Sequence, residues 1–497
     1  MTKPNILFIL TDQQRKDTLS AYGDLPCFTP NSDQFSEESI TFENAYTVCP
    51  ICTPARASLQ TGLYPIHHGM ITNSYNYGNM VQELPDTPEL LSRKLLKEDY
   101  QVGYTGKWHL GTGVEAVKSD EYIQKYMGTI EFAELALKND ATPTSVGYSG
   151  DDFPGHGFGG HYYPKFREYL AENNKEFKIE NIIKGYYGDH QAGEITTGVA
   201  STIENYLIER TKNIINDFNK KDKPWYFQLN FWGPHEPYFV PTEFLDLYDG
   251  LTIPEWSNFK DGNALKPRIH DVKRGDIKEW SDIEPAVKHY FACTSHIDYQ
   301  IGRLLDYLKE TNLYDNTLII MSSDHGESLG IHDGLCDKAI FMYEETCSIP
   351  LIIKPPKGTT KQKLNEFVNS CDIYSTILNY AGLSEEECQR DGRSFKGLIE
   401  GAKIEWPDTV VTECSGIGSV LFSQRMIRKG EWKYVFNCGD IDELYNLSKD
   451  PHELTNLIEE SESQDSLDEM RESLYDWMLE HNDNLIFEYK QLRMNRK

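Results

Sequence analysis

The sequence predicts an α/β fold in which buried parallel strands carry packed helices and a smaller α+β subdomain closes the C-terminal end. Three observations carry that reading. First, Asn5–Leu10 (NILFIL), Pro224–Trp232 (PWYFQLNFW), Thr317–Met321 and Ile349–Lys354 are near-continuous apolar runs, the pattern of strands covered on both faces. Second, Ile297, Ile301, Leu304, Leu305 and Leu308 recur at helical spacing across Ser295–Leu308, which makes one apolar face for the sheet. Third, beyond residue 400 the pattern changes to short amphipathic strands, so the chain divides into 1–400 and 401–497.

Composition narrows the function classes. A chain of 497 residues allows roughly two or three domains. With 39% hydrophobic and 12% aromatic residues it has material for a large core. Its net charge of −29 argues against nucleic acid as a partner. The ten Cys lack paired zinc-ribbon spacing and read as mostly free thiols. MTKPNILFILTDQQ runs straight into a strand, without the apolar stretch and cleavage site of a secretory signal, and no run of about 18 apolar residues exists elsewhere. These features predict a cytoplasmic protein with no membrane span.

The first strand ends in Thr11, Asp12, Gln13 and Gln14. Sites in open α/β sheets lie beyond the carboxyl ends of strands, so Asp12 is either a metal carboxylate or an ordinary loop residue. In Val48–Gly62 (VCPICTPARASLQTG), Pro54 suits the first turn of a helix, Thr53 reads as its N-cap and Gly62 as its stop. Cys52 then sits just ahead of a helix N-terminus, where an anion is favoured, with Arg56 adding a positive fork. A buried capping thiol is the plain alternative.

Thr87-Pro88 opens a helix carrying Leu90, Leu91 and Leu95, and Tyr100–Thr105 is a short strand. Lys107 and His109 follow it at alternate positions; they form either an electrostatic clamp with a proton carrier or a polar loop. From 114 to 222 the pattern is irregular and reads as an insertion that shapes substrate, with helical periodicity returning over 194–210. His156, His161 and His190 within it are either substrate contacts or, the plainer reading, ordinary loop histidines. The run ending at Trp232 delivers His235 in a Pro-rich turn, a rigid position suited to proton donation. The run ending at Met321 delivers Asp324 and His325, which with Asp12 could hold a divalent cation. LFSQRMIRKGEWKYVFN reads as a hairpin turning at Lys429-Gly430, and Met470, Leu474, Trp477 and Met478 as a closing helix.

The pattern Cys52-x-Pro54-x-Arg56, extended as CTPARASLQTG, resembles the signature of the type I (formylglycine-dependent) sulfatases. GKWHLG is similar to the second signature of that family and P-H-x-P around His235 to its third block. SSDHGE resembles a segment of the alkaline phosphatase superfamily, and DELYNLSKDPHELTNLI the sulfatase C-terminal block. The blocks occur in the family's order along nearly the whole chain. The resemblance implies an alkaline-phosphatase-like mixed sheet sandwiched by helices in 1–400, the catalytic domain, and a C-terminal α+β subdomain with a small antiparallel sheet and closing helix in 401–497.

It also implies a chemistry. In the family a formylglycine-generating or anaerobic sulfatase-maturating enzyme oxidises the Cys, here Cys52, to formylglycine (3-oxoalanine). Its hydrate attacks sulfur on a metal held by Asp12, Asp324, His325 and Cys52 itself, with Gln13 an additional candidate ligand. Lys107, Lys338 and Arg56 stabilise charge; Lys107, His235 and Lys338 contact substrate; His235 protonates the departing alcohol. His109 takes the proton that lets sulfate be expelled, so no second attack by water is needed. Many relatives pair Asp-Asp with Asp-Asn and bind calcium. This chain has Asp12-Gln13 and Asp324-His325, similar to phosphonate monoester hydrolases and choline sulfatases, so Ca²⁺ is expected and Mn²⁺ is the alternative. His332 stands one residue further from Lys338 than expected, and Ser348 replaces the family's Arg. The implied function is hydrolysis of the sulfate ester of a small carbohydrate. The alternatives are a phosphonate monoester or phosphodiester hydrolase and an anion-binding pseudoenzyme with unmodified Cys52. A homo-oligomer is compatible with a chain of this size and charge.

Overall fold

The computed structural model describes residues 3–74, 78–111, 141–153, 155–156, 158–161, 163–188, 190–261, 265–418 and 420–494. Its strands are β1 Asn5–Asp12, β2 Ile40–Tyr46, β3 Gln101–Gly106, β4 Ser149–Gly150, β5 Ile179–Lys184, β6 Gln191–Ile195, β7 Trp225–Pro234, β8 Tyr238–Pro241, β9 Thr317–Ser323, β10 Leu351–Lys354, β11 Gln362–Asn369, β12 Thr409–Cys414, β13 Gln424–Lys429, β14 Trp432–Asn437 and β15 Glu443–Asn446. Eight of them form the main sheet in the order β11-β2-β10-β9-β1-β7-β3-β4. β1 lies at the centre, parallel to β7 (Ile6 opposite Tyr226) and to β9 (Ile6 opposite Leu318). β10 runs antiparallel to both its neighbours, which makes the sheet mixed.

The apolar run of β1 is continuous because both of its faces are covered. Ile6, Phe8 and Leu10 join one core with Leu91, Leu95, Tyr374 and Ile377, from the helices Leu91–Lys97 and Ser370–Tyr380. Leu7 and Ile9 alternate into the opposite core with Ile203, Leu207, Ile301 and Leu304, from the helices Ile203–Asn219 and Trp280–Glu310. Each such side chain removed from water stabilises the fold by about 1.5–3 kcal/mol. The layering is the helix-sheet-helix sandwich expected from the sequence.

At the C-terminal end, β12-β13-β14-β15 form a second, antiparallel sheet. The helix Gln464–Glu480 lays Leu467, Met470, Leu474 and Met478 against Val411, Ile427 and Tyr434 of that sheet. Lys429 pairs with Trp432, so Gly430 and Glu431 form the hairpin loop, with Gly430 in the left-handed region at φ 53°.

Several local expectations change. The helix read over Ser295–Leu308 runs from Trp280 to Glu310. Pro285 hides its first turns in the sequence, but near a helix N-terminus the missing N–H costs little. The helix expected from Thr87 starts at Leu91. In the region read as an irregular insertion, β5 and β6 form a three-stranded sheet with β8, which follows that region; residues 194 and 195 are strand, and the helix read over 194–210 spans Ile203–Asn219. Residues 112–140 of that region lie outside the described residues. All ten Cys are free thiols. Among the described residues no helix is long and apolar enough to cross a membrane.

Candidate nucleophile and metal site

Asp12 ends β1, while Lys107, His235 and Asp324 lie directly beyond β3, β7 and β9. These strands are neighbours and parallel, so their carboxyl ends open on one edge of the sheet. Cys52 begins the helix Cys52–Thr61, which is capped at its other end by Gly62 at φ 68°. The sequence placed the N-cap at Thr53; it is Ile51, and the Thr53 hydroxyl instead donates to the carbonyl of His109 at 2.7 Å. That bond ties the GKWHLG segment to the first turn of the helix.

The chain bends sharply after β3. Gly106 has φ 101°, and a Cβ there would stand 1.7 Å from the carbonyl oxygen of Asn230, so only glycine fits. The extended geometry therefore stops before Lys107, and His109 adopts φ 56°. Lys107 nonetheless reaches the centre. Its Nζ lies 2.7 Å from Asp12 Oδ2 and donates toward Cys52 Sγ at 3.7 Å.

Arg56 ties the two carboxylates together. Its Nη2 lies 2.7 Å from Asp12 Oδ2, its Nε 2.9 Å from Asp324 Oδ2, and its Nη1 donates to the carbonyl of Lys107 at 2.9 Å. Asp324 Oδ1 accepts the backbone N–H groups of Gln13 at 3.0 Å and His325 at 2.9 Å. Cys52 Sγ stands 4.0 Å from Asp12 Oδ1 and 3.2 Å from His325 Nε2. Because a carbonyl only accepts, the 3.0 Å contact of His325 Nδ1 with the Gly326 oxygen fixes a proton on Nδ1 and turns Nε2 toward Cys52.

The donor set fits a divalent cation. One ligand atom each from Asp12, Cys52, Asp324 and His325 lies within 4.8 Å of the others, and oxygens on opposite sides of a calcium ion stand about 5 Å apart. Buried carboxylates with an oriented imidazole suit Ca²⁺ or a first-row ion. The electrostatics agree. Burial would raise the Asp12 carboxyl, but Lys107 and Arg56 hold it well below the usual range. Burial and Asp12 push the Cys52 thiol up, and Lys107, Lys338 and His325 together bring it below its ordinary value. Burial lowers His325, yet Asp324 and Cys52 raise it to about 9, the signature of an imidazole held among negative groups.

A second layer holds Lys338. Its Nζ meets His235 Nε2 at 2.8 Å and Asp337 Oδ1 at 3.0 Å and donates to Gln13 Oε1. Gln13 Nε2 donates to Glu327 and, at 3.2 Å, to Asp337 Oδ1, so this amide is engaged with Lys338 and the acidic pair. His235 Nδ1 donates to the Glu236 carbonyl at 2.7 Å, which leaves Nε2 as the nitrogen that faces Lys338. Burial, reinforced by Lys338 and Lys107, pushes the His235 imidazole well below its usual range.

Cys52, Arg56, Lys107, His235, Lys338, Asp12, Gln13, Asp324 and His325 are thus brought together. His109 stands behind them, its ring 4.9 Å from that of His156, which is in turn 5.0 Å from that of His235. His332 stays outside, stacked on Tyr343 at 3.8 Å with Nδ1 2.5 Å from Asp261 Oδ2. Sequence reading passed over Glu327 and Asp337, and read His156 as a loop histidine with substrate contact as the alternative. Glu327 closes the SSDHGE segment and Asp337 precedes Lys338, so adjacency could have flagged both. His156 had no comparable signal.

A family model described as Sulfatase matches residues 4–383, and one described as N-sulphoglucosamine sulphohydrolase, C-terminal, matches 330–480. An uncharacterised sulfatase, YidJ, of Escherichia coli (strain K12) is 28% identical over 483 residues, covering 96% of this chain and 88% of its own. The structure of BT4656 in complex with its substrate D-glucosamine-2-N,6-O-disulfate superposes with TM-score 0.71 at 21% identity, covering 97% of this chain and 99% of that one. The phosphonate monoester hydrolase of Agrobacterium radiobacter superposes with TM-score 0.73 at 22% identity over 96% of each chain.

Proposed function

Since the chain belongs to the sulfatase family of the alkaline phosphatase superfamily and is a sulfuric ester hydrolase, we propose that it releases sulfate from a small sulfated carbohydrate, with Cys52 as the residue matured into the nucleophile. The observation that carries this reading is the position of Cys52 Sγ, 3.2 Å from His325 Nε2, 3.7 Å from Lys107 Nζ and 4.0 Å from Asp12 Oδ1, at a helix N-terminus.

Formylglycine at position 52 supplies a nucleophile that resets by expelling sulfate. Asp12, Asp324 and His325 would hold a divalent cation, Ca²⁺ or alternatively Mn²⁺, which would supply a positive charge against the oxygens of a bound sulfate group. Arg56 keeps both carboxylates oriented toward that ion. Lys107 and Lys338 bind the sulfate group and stabilise its oxygens as charge grows. An arriving sulfate ester adds negative charge beside His235 and raises its affinity for a proton, which Nε2 then delivers to the departing alcohol oxygen. His109 takes the proton from the second hydrate oxygen, so that sulfate is expelled and the aldehyde returns. Gln13, bridging Lys338 and Glu327, fixes the lysine in place.

Cys52 is wholly buried. A maturation enzyme must therefore meet it in the unfolded or partly opened chain. A carbohydrate substrate is supported by the match to the N-sulphoglucosamine sulphohydrolase model and by the likeness to a structure that holds a sulfated glucosamine. The equally close likeness to a phosphonate monoester hydrolase favours a second reading, hydrolysis of phosphonate monoesters at the same centre. A panel of sulfated mono- and disaccharides beside a phosphonate monoester, assayed with Ca²⁺ and with Mn²⁺, separates them. The proposal expects the highest kcat/KM on a sulfated sugar; preference for the phosphonate by orders of magnitude overturns it.

A further inference from the structure

A closed collar of side chains leads from Lys338 toward solvent. Lys338 Nζ meets His235 Nε2 at 2.8 Å and Asp337 Oδ1 at 3.0 Å. Asp337 in turn holds Lys273 at 2.6 Å, and the Lys273 ammonium stands 6.0 Å from the centre of the Tyr187 ring. Tyr187 packs edge-on against His190, with ring centroids 4.9 Å apart and planes at 87°, and His190 Nε2 lies 3.9 Å from Glu236 Oε1. Glu236 follows His235 in the chain, which closes the collar. Strand pairing fixes its outer wall. Ala192 of β6 lies opposite Tyr238 of β8, so the β5–β6 hairpin that carries Tyr187 and His190 is fastened beside the turn that delivers His235 and Glu236.

Side-chain exposure rises around this collar from 4% at Lys338 to 24% at Glu236. The buried centre at Cys52 therefore opens past Glu236, where the alcohol half of a bound ester must lie once its sulfate is on Lys338 and its bridging oxygen at His235. The two carboxylates along this exit differ. Asp337 is neutralised by Lys273 and Lys338. Among the described residues the one basic group within 4 Å of Glu236 is the His190 imidazole, and 3.9 Å is too long for a hydrogen bond. A carboxylate so placed can accept hydrogen bonds from an arriving hydroxyl or ammonium, and it repels a second anion brought within a few ångströms. We propose that Glu236 is a specificity-determining residue, selecting esters whose leaving group carries a hydroxyl or an ammonium beside the bridging oxygen and rejecting those with a second sulfate or a carboxylate there. The inference rests on the sulfate ester reading above and narrows it to sugars whose neutral or cationic groups flank the ester that is cleaved.

The test uses protein whose maturation is verified by the mass of the peptide containing Cys52, and three phenyl sulfates that carry aminomethyl, hydroxymethyl or carboxyl at the meta position. Their phenol leaving groups are of similar acidity, so differences in kcat/KM report recognition of the side group. An ester that binds without turnover is scored by its Ki against a cleaved sulfated sugar. Assays run at about pH 8.5, above the value of about 7 to which burial raises the Glu236 carboxyl, so that the group is ionised. Wild type is expected to favour the aminomethyl over the carboxyl ester by at least about tenfold, with hydroxymethyl between them. Glu236→Gln keeps the shape of the side chain without its charge and should bring that ratio within about threefold. No preference in wild type, or a preference that survives Glu236→Gln, overturns the assignment and leaves the sulfatase reading intact. A fully matured wild type that cleaves neither these esters nor any sulfated sugar of the panel above defeats that reading, and the assignment with it.

Discussion

Replacing Arg56 by Met removes a buried charge and keeps most of the side-chain volume. Arg56 is 2% exposed and binds Asp12 at 2.7 Å and Asp324 at 2.9 Å, both carboxylates being wholly buried. Removing one partner of a buried ion pair costs about 3–5 kcal/mol. Asp12 keeps Lys107 at 2.7 Å and Asp324 keeps two backbone N–H groups, so the loss should equal one such event rather than two. Set against a typical stability of about 5–15 kcal/mol, it should be plain in urea unfolding followed by circular dichroism. A divalent cation at about 100 times its Kd should restore roughly 2.7 kcal/mol, because it takes over neutralisation of the same carboxylates. The pH dependence has a definite sign. Asp12 is depressed in the folded state, so its stabilisation is present above its unfolded value and is lost as pH falls through its folded one. In Arg56→Met the folded value rises, and acid unfolding should begin at higher pH. A loss below about 1 kcal/mol with an unchanged acid transition would refute the claim that Arg56 holds the carboxylate pair.

Three further outcomes are expected. His325→Ala should weaken the thermal stabilisation given by added Ca²⁺ or Mn²⁺, with the apparent Kd rising at least about tenfold; the shift of Tm with metal concentration measures it. Gly106→Ala should cost more than about 3 kcal/mol or abolish soluble expression, because a Cβ would stand 1.7 Å from the Asn230 carbonyl oxygen at φ 101°; Tm and yield report it. His67, hydrogen-bonded to Asp391 at 2.6 Å, is raised to about 9 by that contact. Its stabilisation is therefore present below pH about 6.5 and is lost as pH rises through about 9, and Tm scans should show this decline flattened in His67→Gln.

The sheet was legible because β1, β7 and β9 are buried on both faces, and an apolar run ended by polar residues marks the strand and its functional end together. Asp12, His235, Asp324 and His325 were placed at those strand ends that way. For Lys107 and His109 the expected alternation fails, since the extended geometry stops at Gly106 and a left-handed bend carries the chain onward. The cap at Thr53 was misread because its hydroxyl answers to the His109 carbonyl, a partner far away in sequence. His156 was read chiefly as a loop histidine for the same kind of reason. Its neighbours come from two other strands, and nothing within GHG announces them. Gln13 was read only as a possible ligand, whereas its amide meets Lys338, Glu327 and Asp337, which lie at the far end of the chain.

The account depends above all on Cys52, and the most direct measurement is the mass of the peptide containing it across protein fractions matured to different extents, set against sulfate release from each. Replacement of sulfur by oxygen with loss of two hydrogens should track activity along a line through the origin. Full activity in protein that carries only the thiol, or none in protein that is completely converted, would contradict it.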